Sequence, residues 1–285
     1  MEKMAFLGPL GTHSEAAALY LNGIREDKKE LVPYPEIFAA VEAVSSGEAE
    51  SALVPGENSL EGSINITLDE LAHGDNLVVV RELIWSVHNQ LMGKCRAEQV
   101  KEIYSHAQPL AQCRAFLQKN FPKAKLVQTA STAQAATLAS QAAPEDGIAA
   151  ICTARAGELY GLNTLAKEIQ DNNTNCTRFY EVRRGPAACL PDTATGRSII
   201  VFQIDGSKAG ALWKILQLLA ERNVNMTRIE SRPARTGLGE YIFFLDLEVE
   251  PGQHTALHSA IEAVRSRSSW LKELGEFPVM TAQQD

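Results

Sequence analysis

The sequence predicts an α/β fold followed by a smaller ferredoxin-like unit, and three observations carry that prediction. Short apolar runs ending at Gly or Pro alternate with Ala-rich helical stretches over the first two-thirds of the chain, the pattern of a parallel or mixed sheet covered by helices. Residues 183–196 hold two Pro, two Gly and little periodicity, as a linker does. The remainder reads β-α-β-β-α-β, the order of a split βαβ unit. At roughly 100–200 residues per domain, 285 residues favour two domains over one and need no disulfide or metal staple to build a core.

The first block runs from residue 4 to about 75. Residues 4–7 form a short strand stopped by Gly8-Pro9, and Thr12-His13-Ser14-Glu15 opens a helix over 16–21. A second helix covers 37–41 and stops near Gly47; residues 51–54 then read as a buried strand ending at Pro55-Gly56. The second block, from 77 to 150, opens with strands at 77–80 and 84–91. Strands at 103–104, 126–127 and 148–151 alternate with helices at 110–117, 133–143 and 154–160, with Ser131 or Thr132 capping the second helix. After the linker come a strand at 198–204, a helix at 211–222, strands at 226–232 and 241–249, a helix at 254–264 and a last short strand at 277–280.

Composition narrows the function. The formal net charge is −8, with 35 acids against 27 bases, which argues against a nucleic-acid partner. No apolar run approaches the roughly 18–20 residues of a membrane span. The start has one Lys and then a Gly-Pro turn, unlike a secretory signal. Five cysteines, odd in number and without a CxxC pair, read as reduced thiols in a cytoplasmic protein. The six histidines read as containing no metal pair on one helix face, and P-loop, GxGxxG, GxSxG and HExxH motifs are missing. A reaction without cofactor or metal, or a pure binding role, is what remains. Residues 1–196 hold 24 acids and 17 bases, so an anion bound there must meet local donors rather than a general positive field.

Four polar segments, 54–59, 105–113, 129–133 and 171–179, sit at expected strand ends or helix starts. Each alone reads as a cap or turn, where Ser, Thr and Asn belong. Together they describe a neutral hydrogen-bonding cleft with one guanidinium, Arg178, suited to a small carboxylate ligand. These segments also carry a resemblance to the prephenate dehydratase family. It rests on Phe6-Leu7-Gly8-Pro9 with Gly11-Thr12, on Val54-Pro55 with Glu57-Asn58-Ser59 and Gly62, and on Tyr104-Ser105-His106 with Gln108 and Gln112. It continues through Ser131-Thr132-Ala133 with Ala135-Ala136, Tyr160-Gly161-Leu162, and Asn175 with Thr177-Arg178-Phe179. The region after the linker resembles an ACT regulatory domain through Gly210-Ala211-Leu212 and the run from Asn225 to Pro233. Two positions depart from the family pattern: Ala107 stands where Pro is common, and His13 where an aromatic ring is usual. His13 places an extra titratable group near the expected cleft; a partly exposed first-turn residue with no role is one reading of it, and a part in the chemistry is the other.

The resemblance implies a two-lobed, periplasmic-binding-protein-like catalytic domain over 1–182, its second lobe at about 77–160, and a βαββαβ ACT domain over 197–285. It implies conversion of prephenate to phenylpyruvate, a carbon–oxygen lyase reaction of phenylalanine biosynthesis that uses no cofactor. The signature begins at the second or third residue, so a single activity is expected. Thr177 is implied as the key catalytic residue, donating a hydrogen bond to the departing hydroxyl. Arg178 is expected beside it as a clamp on a substrate carboxylate; an ion pair with Glu57 or Asp171 is the other reading of that residue. Asn58, Ser59, Ser105, Gln112, Ser131, Thr132 and Phe179 are implied as the substrate site. L-Phenylalanine is implied as an inhibitor held between ACT domains by Gly210, Ala211, Leu212, Asn225, Glu230, Ser231, Arg232 and Pro233. The chain is therefore expected to self-associate, as a dimer or a tetramer. Arogenate dehydration and non-catalytic binding of a small carboxylate stay open as alternatives.

Overall fold

A computed structural model describes residues 1–282. Along the chain, β1 (Lys3–Leu7), α1 (His13–Ile24), β2 (Glu30–Tyr34), α2 (Ile37–Ser45), β3 (Ser51–Asn58), β4 (Gly62–Ser63), α3 (Asn65–His73) and β5 (Leu77–Ser86) build most of a first lobe. A second lobe follows as β6 (Gln90–Gly93), β7 (Glu102–Ser105), α4 (Ala107–Gln112), α5 (Arg114–Asn120), β8 (Lys125–Gln128), α6 (Thr132–Gln141), β9 (Ile148–Cys152), α7 (Ala154–Tyr160) and β10 (Asn163–Ala166). The chain returns to the first lobe as β11 (Cys176–Arg184). Last come β12 (Gly196–Gln203), α8 (Ala211–Ala220), β13 (Met226–Pro233), β14 (Tyr241–Val249), α9 (His254–Arg265), β15 (Trp270–Phe277) and β16 (Val279–Thr281).

Three sheets organise these elements. The first runs β16-β5-β11-β3-β1-β2, with β4 paired to β3; the second runs β10-β6-β9-β7-β8; the third runs β13-β14-β12-β15. The first two are mixed and helix-covered, as expected of alternating strands and helices. Only residues 87–89 and 167–175 cross between the lobes, the two-lobed arrangement of a periplasmic binding protein, whose closure is a hinge motion. A brace ties the lobes at one rim. The Thr153 hydroxyl, which also caps α7, donates to the Gly11 carbonyl at 2.9 Å, and Arg155 pairs with Glu15 at 3.3 Å.

The third sheet is antiparallel throughout, and its central strands β12 and β14 are buried on both faces. Alternation in β12 explains how. Ile200 and Phe202 face α8 and α9, against Ile215, Leu257 and Ile261. Ile199 and Val201 point the other way, into one core with Val41, Leu68, Leu71 and Tyr180 of the first lobe. The C-terminal unit is thus fused to the first lobe by shared apolar burial.

Several expected boundaries shift. The strand expected at 51–54 continues through Pro55-Gly56 to Asn58, because Gly56 lies flat on the Tyr180 ring: a Cβ there would sit 2.2 Å from Tyr180 Cε2. Residues 77–86 form one strand despite Arg81 and Glu82, and it pairs with β11. The second lobe accordingly begins near Gln90 rather than at 77. Strand β2 was not anticipated, since Pro33 interrupts its pattern; it lies at the sheet edge, where Pro is tolerated. The strand expected at 277–280 is divided at Pro278. Its first residue ends β15 of the third sheet, while β16 leaves that unit and pairs in parallel with β5. No helix among the described residues is long and apolar enough to cross a membrane.

Candidate active site

A cavity of about 300 Å³ lies between the lobes. The first lobe contributes Thr12, His13, Ser14, Asn58 and Thr177; the second contributes His106, Gln108, Gln112, Ser131 and Thr132. The crossing segments add Val87, Asn89 and Asn175. Among the described residues, no Asp, Glu, Lys or Arg lines it.

Helix starts place most of these groups. Thr12 caps α1, with its hydroxyl accepting from the Glu15 N–H at 3.3 Å; Ser131 caps α6 by accepting from Gln134 N–H at 3.0 Å; His106 stands at the start of α4. The first N–H groups of a helix have no partner within it, and its N-terminus carries about half a positive charge. Three such ends converge on one cavity otherwise lined by neutral groups.

Thr177 sits at the end of a hydrogen-bonded chain. Asn58 Oδ1 accepts from the N–H groups of Leu60 at 3.0 Å and Glu61 at 3.2 Å, which fixes the amide. Its Nδ2 then donates to Asn175 Oδ1 at 2.9 Å and to Thr177 Oγ1 at 3.1 Å. Asn175 in turn donates to Gln112 Oε1 at 3.3 Å, across the cleft. Because the Thr177 oxygen accepts an incoming N–H, its own O–H is left to serve as a donor. His13 is a second neutral donor. The Trp85 indole N–H donates to His13 Nδ1 at 3.4 Å, so Nε2 carries the proton. Desolvation, then the neighbouring His88, pushes the His13 pKa down to about 4.

The cavity gathers Thr177, Asn58, Gln112, Ser131 and Thr132 of the expected site. Four expected residues lie elsewhere. Ser105 is fully buried in the second lobe and donates to the Ile151 carbonyl at 2.8 Å. Ser59 joins the loop after β3 to β11, donating to the Thr174 carbonyl and accepting from Cys176 N–H. Phe179 is in the first lobe's core with Met4, Leu21 and Leu53. Arg178 is the largest correction. Successive strand residues face opposite sides, so with Thr177 in the cleft Arg178 points away from it. Its guanidinium lies 2.5 Å from Asp246, 3.2 Å from Glu82 and 3.4 Å from Glu57. Against desolvation, Tyr180, Glu82 and Asp246 raise its pKa above the ordinary value. The clamp expectation gives way to the ion pair with Glu57; Asp171 instead accepts from the Ala115 and Phe116 N–H groups. Asn175, which helps carry the resemblance but is not counted in the expected site, lines the cavity, as does His13, expected near the cleft without an assigned role. For Asn175 a signal existed: it shares the face of Thr177 two residues earlier.

In the third sheet, Gly210, Ala211 and Leu212 line an open groove of about 800 Å³ at the start of α8. Gly210 takes a φ of +76°, which favours glycine. Asn225 donates to Glu248 Oε2 at 2.5 Å and does not line that groove. Strand β13 alternates: Ser231 and Pro233 are exposed, while Glu230 and Arg232 turn inward to the catalytic lobe. Glu230 accepts from Ser63 at 2.7 Å, and Arg232 holds Asp69 with two bonds of 3.0 and 2.9 Å. The expectation that Glu230 and Arg232 reach across to a second chain is corrected accordingly. One further correction concerns histidine. His254 and His258 are one turn apart on α9 and do form a pair on one helix face.

The fold and cleft define a two-lobed small-molecule enzyme with an appended βαββαβ domain. Residues 4–187 match the family model for prephenate dehydratase, and residues 198–257 match that for the ACT domain. A prephenate dehydratase of Amycolatopsis methanolica is 37% identical, over 97% of this chain and 88% of that one. The solved prephenate dehydratase of Arthrobacter aurescens in complex with L-Phe superimposes with a TM-score of 0.84 at 32% identity, covering 97% of this chain and 90% of that one. The chain belongs to the prephenate dehydratase family, carbon–oxygen lyases of aromatic amino acid biosynthesis. A solved structure described as a novel type of quorum quenching acylase shares the fold, with a TM-score of 0.83 at 28% identity over 98% of both chains. Fold alone therefore does not carry the chemistry; site residues must.

Proposed function

We propose that the interlobe cleft converts prephenate to phenylpyruvate and that phenylalanine restrains it through the ACT domain. The observation that carries the catalytic reading is the Thr177 hydroxyl, oriented by the Asn58 amide so that its own proton faces outward as a donor. The reaction breaks two bonds. The electron pair of the ring–carboxylate bond moves into the ring as carbon dioxide leaves, and the ring C–O bond breaks as the hydroxyl takes up one proton, drawn from solvent water, and departs as water. Thr177 donates to that hydroxyl as negative charge builds on it. One well-placed donor of this kind contributes about 2.7–4 kcal/mol to lowering the barrier. The two carboxylates of the substrate meet the N-terminal ends of α1, α4 and α6 and the neutral donors His13, Gln108 and Thr132. Positioning and preorganised dipoles, rather than a titrating acid, then supply the rate.

For regulation, L-phenylalanine sits against Gly210–Leu212, where Gly210 lets a ligand approach the backbone. Support comes from the solved relative in complex with L-Phe. Strand β13 is an open edge of its sheet, fit to face a second ACT domain with Ser231 and Pro233 outward. Its inward residues Glu230 and Arg232 meet Ser63 and Asp69, just beyond the end of β3 where Asn58 lies. A ligand that shifts β13 thereby biases the cleft. The test is to add purified full-length chain to prephenate at neutral pH and follow phenylpyruvate, with arogenate in parallel and L-phenylalanine titrated in. Turnover of prephenate that phenylalanine reduces is expected; no phenylpyruvate overturns the catalytic reading, and faster kcat/KM on arogenate reassigns the substrate.

A further inference from the structure

We infer that the ACT domain carries a binding site for a divalent transition-metal ion of the zinc class, formed by Cys189, His258 and Glu276. The Cys189 Sγ, a ring nitrogen of His258 and a Glu276 carboxylate oxygen all lie within 4.8 Å of one another. They come from three separate segments: the connector between β11 and β12, helix α9, and strand β15. Such convergence does not follow from any one helix cap or turn.

The carboxylate is preset. Glu276 is 5% exposed, and its Oε2 accepts from the Leu190 N–H at 3.0 Å, with His254 Nδ1 at 3.3 Å. Its Oε1 is thereby turned to His258 Nε2, at 2.6 Å. His254, one turn earlier on α9, plays the supporting part that outer partners of metal ligands commonly play, and its Nε2 is buried without a hydrogen bond. Thiolate, imidazole and carboxylate together suit zinc and its neighbours, whereas calcium and magnesium take oxygen sets. Ligand atoms around a tetrahedral zinc ion lie about 3.3–3.8 Å apart, given bonds of about 2.0–2.3 Å. Cys189 and His258 are both exposed and can rotate to that spacing, His258 giving up its 2.6 Å hydrogen bond to Glu276 and the thiol moving within the 4.8 Å limit, and solvent access leaves the fourth position to water. Burial, then Glu276 and Glu273, raises the Cys189 thiol pKa; a bound dication reverses the effect of those carboxylates and displaces the thiol proton to solvent. Coordination would pin the connector to the ACT domain, reinforcing the bond from Glu276 N–H to the Ala188 carbonyl at 2.8 Å.

The experiment uses the full chain, freed of metal with a chelator and titrated with cobalt(II) as a coloured probe. One equivalent should produce a thiolate-to-cobalt charge-transfer band, which zinc then abolishes by displacement. Cys189→Ser should remove the band, and His258→Gln should weaken zinc binding at least about tenfold, the scale of losing a ligand or its support. Prephenate turnover without metal should be unchanged in both variants, since both side chains lie outside the cleft, and thermal unfolding without metal should be unchanged in Cys189→Ser, whose side chain is exposed. No thiolate band in the unmodified chain, or a band that survives in Cys189→Ser, overturns the site.

Discussion

Thr177 and Arg178 are neighbours in β11, yet they face opposite chemistries. On one side lies a cavity lined by hydroxyls, amides and imidazoles, with helix N-termini supplying the positive end. On the other, Glu57, Glu82 and Asp246 face Arg178, Arg197 and Arg228 in a largely buried cluster between the catalytic lobe and the ACT sheet. The two regions use charge differently. Buried ions must be paired to be tolerated, and here each carboxylate lies within 4 Å of at least two guanidinium groups drawn from both domains. The proposed reaction asks the cleft to bind a dianion and release a product with one carboxylate fewer, and dipoles would serve it, since they need no counter-ion once the ligand leaves. Desolvation raises the Glu82 pKa even with Arg178 and Arg197 beside it, a sign of how dry the cluster is.

Four substitutions test this contrast. Thr177→Ala should lower kcat/KM by about 10²–10³-fold, the scale of one lost transition-state donor, with the melting temperature unchanged; a smaller kinetic loss breaks the neutral-donor account. Arg178→Met should do the reverse, costing about 3–5 kcal/mol in urea unfolding because it strands buried carboxylates. A stable Arg178→Met protein with a raised KM would restore the carboxylate-clamp reading. Arg232→Ala, which releases Asp69, should cost at most about 1 kcal/mol as a partly exposed pair. Its diagnostic readout is weaker phenylalanine inhibition with uninhibited kcat within about twofold of the parent; unchanged inhibition removes this contact from the regulatory route.

The smallest effect concerns pH. His13 in the folded chain titrates at about 4, below the usual value of 6.5. Between those values the unfolded chain takes up a proton that the folded chain refuses, so stability falls as pH drops through this window and is unaffected above it. His13→Phe should flatten that acid slope. The kcat/KM profile should show no inflection from His13 between about pH 5 and 8, and an inflection there that vanishes in His13→Phe would make it a general acid.

Much of this was legible locally. Caps such as Thr12 and Ser131 involve contacts three residues apart, so their side chains announce helix starts, and those two starts line the cleft. The βαββαβ order was visible because its helices and strands have distinct periods. The strand at 176–184 was not, because Asn, Cys, Thr and Arg at its start give no apolar alternation. Missing it hid which way Arg178 points. The inward turn of Glu230 and Arg232 was hidden for a related reason: alternation in β13 is plain, but only the docked catalytic lobe makes one face inward.

The sequence by itself determined the fold class, the two-part organisation and the neutral, cap-rich character of the cleft, since these depend on periodicity, punctuation and residue type within a few positions. Tertiary structure alone decided which polar residues meet. The Asn58–Asn175–Gln112 chain joins positions up to 117 residues apart. The cluster around Asp246 joins residues from β3, β5, β11, β12, β13 and β14. Cys189, His258 and Glu276 converge from three segments. Such meetings are fixed by sheet order and by the shared core beneath the ACT sheet, which no local pattern encodes.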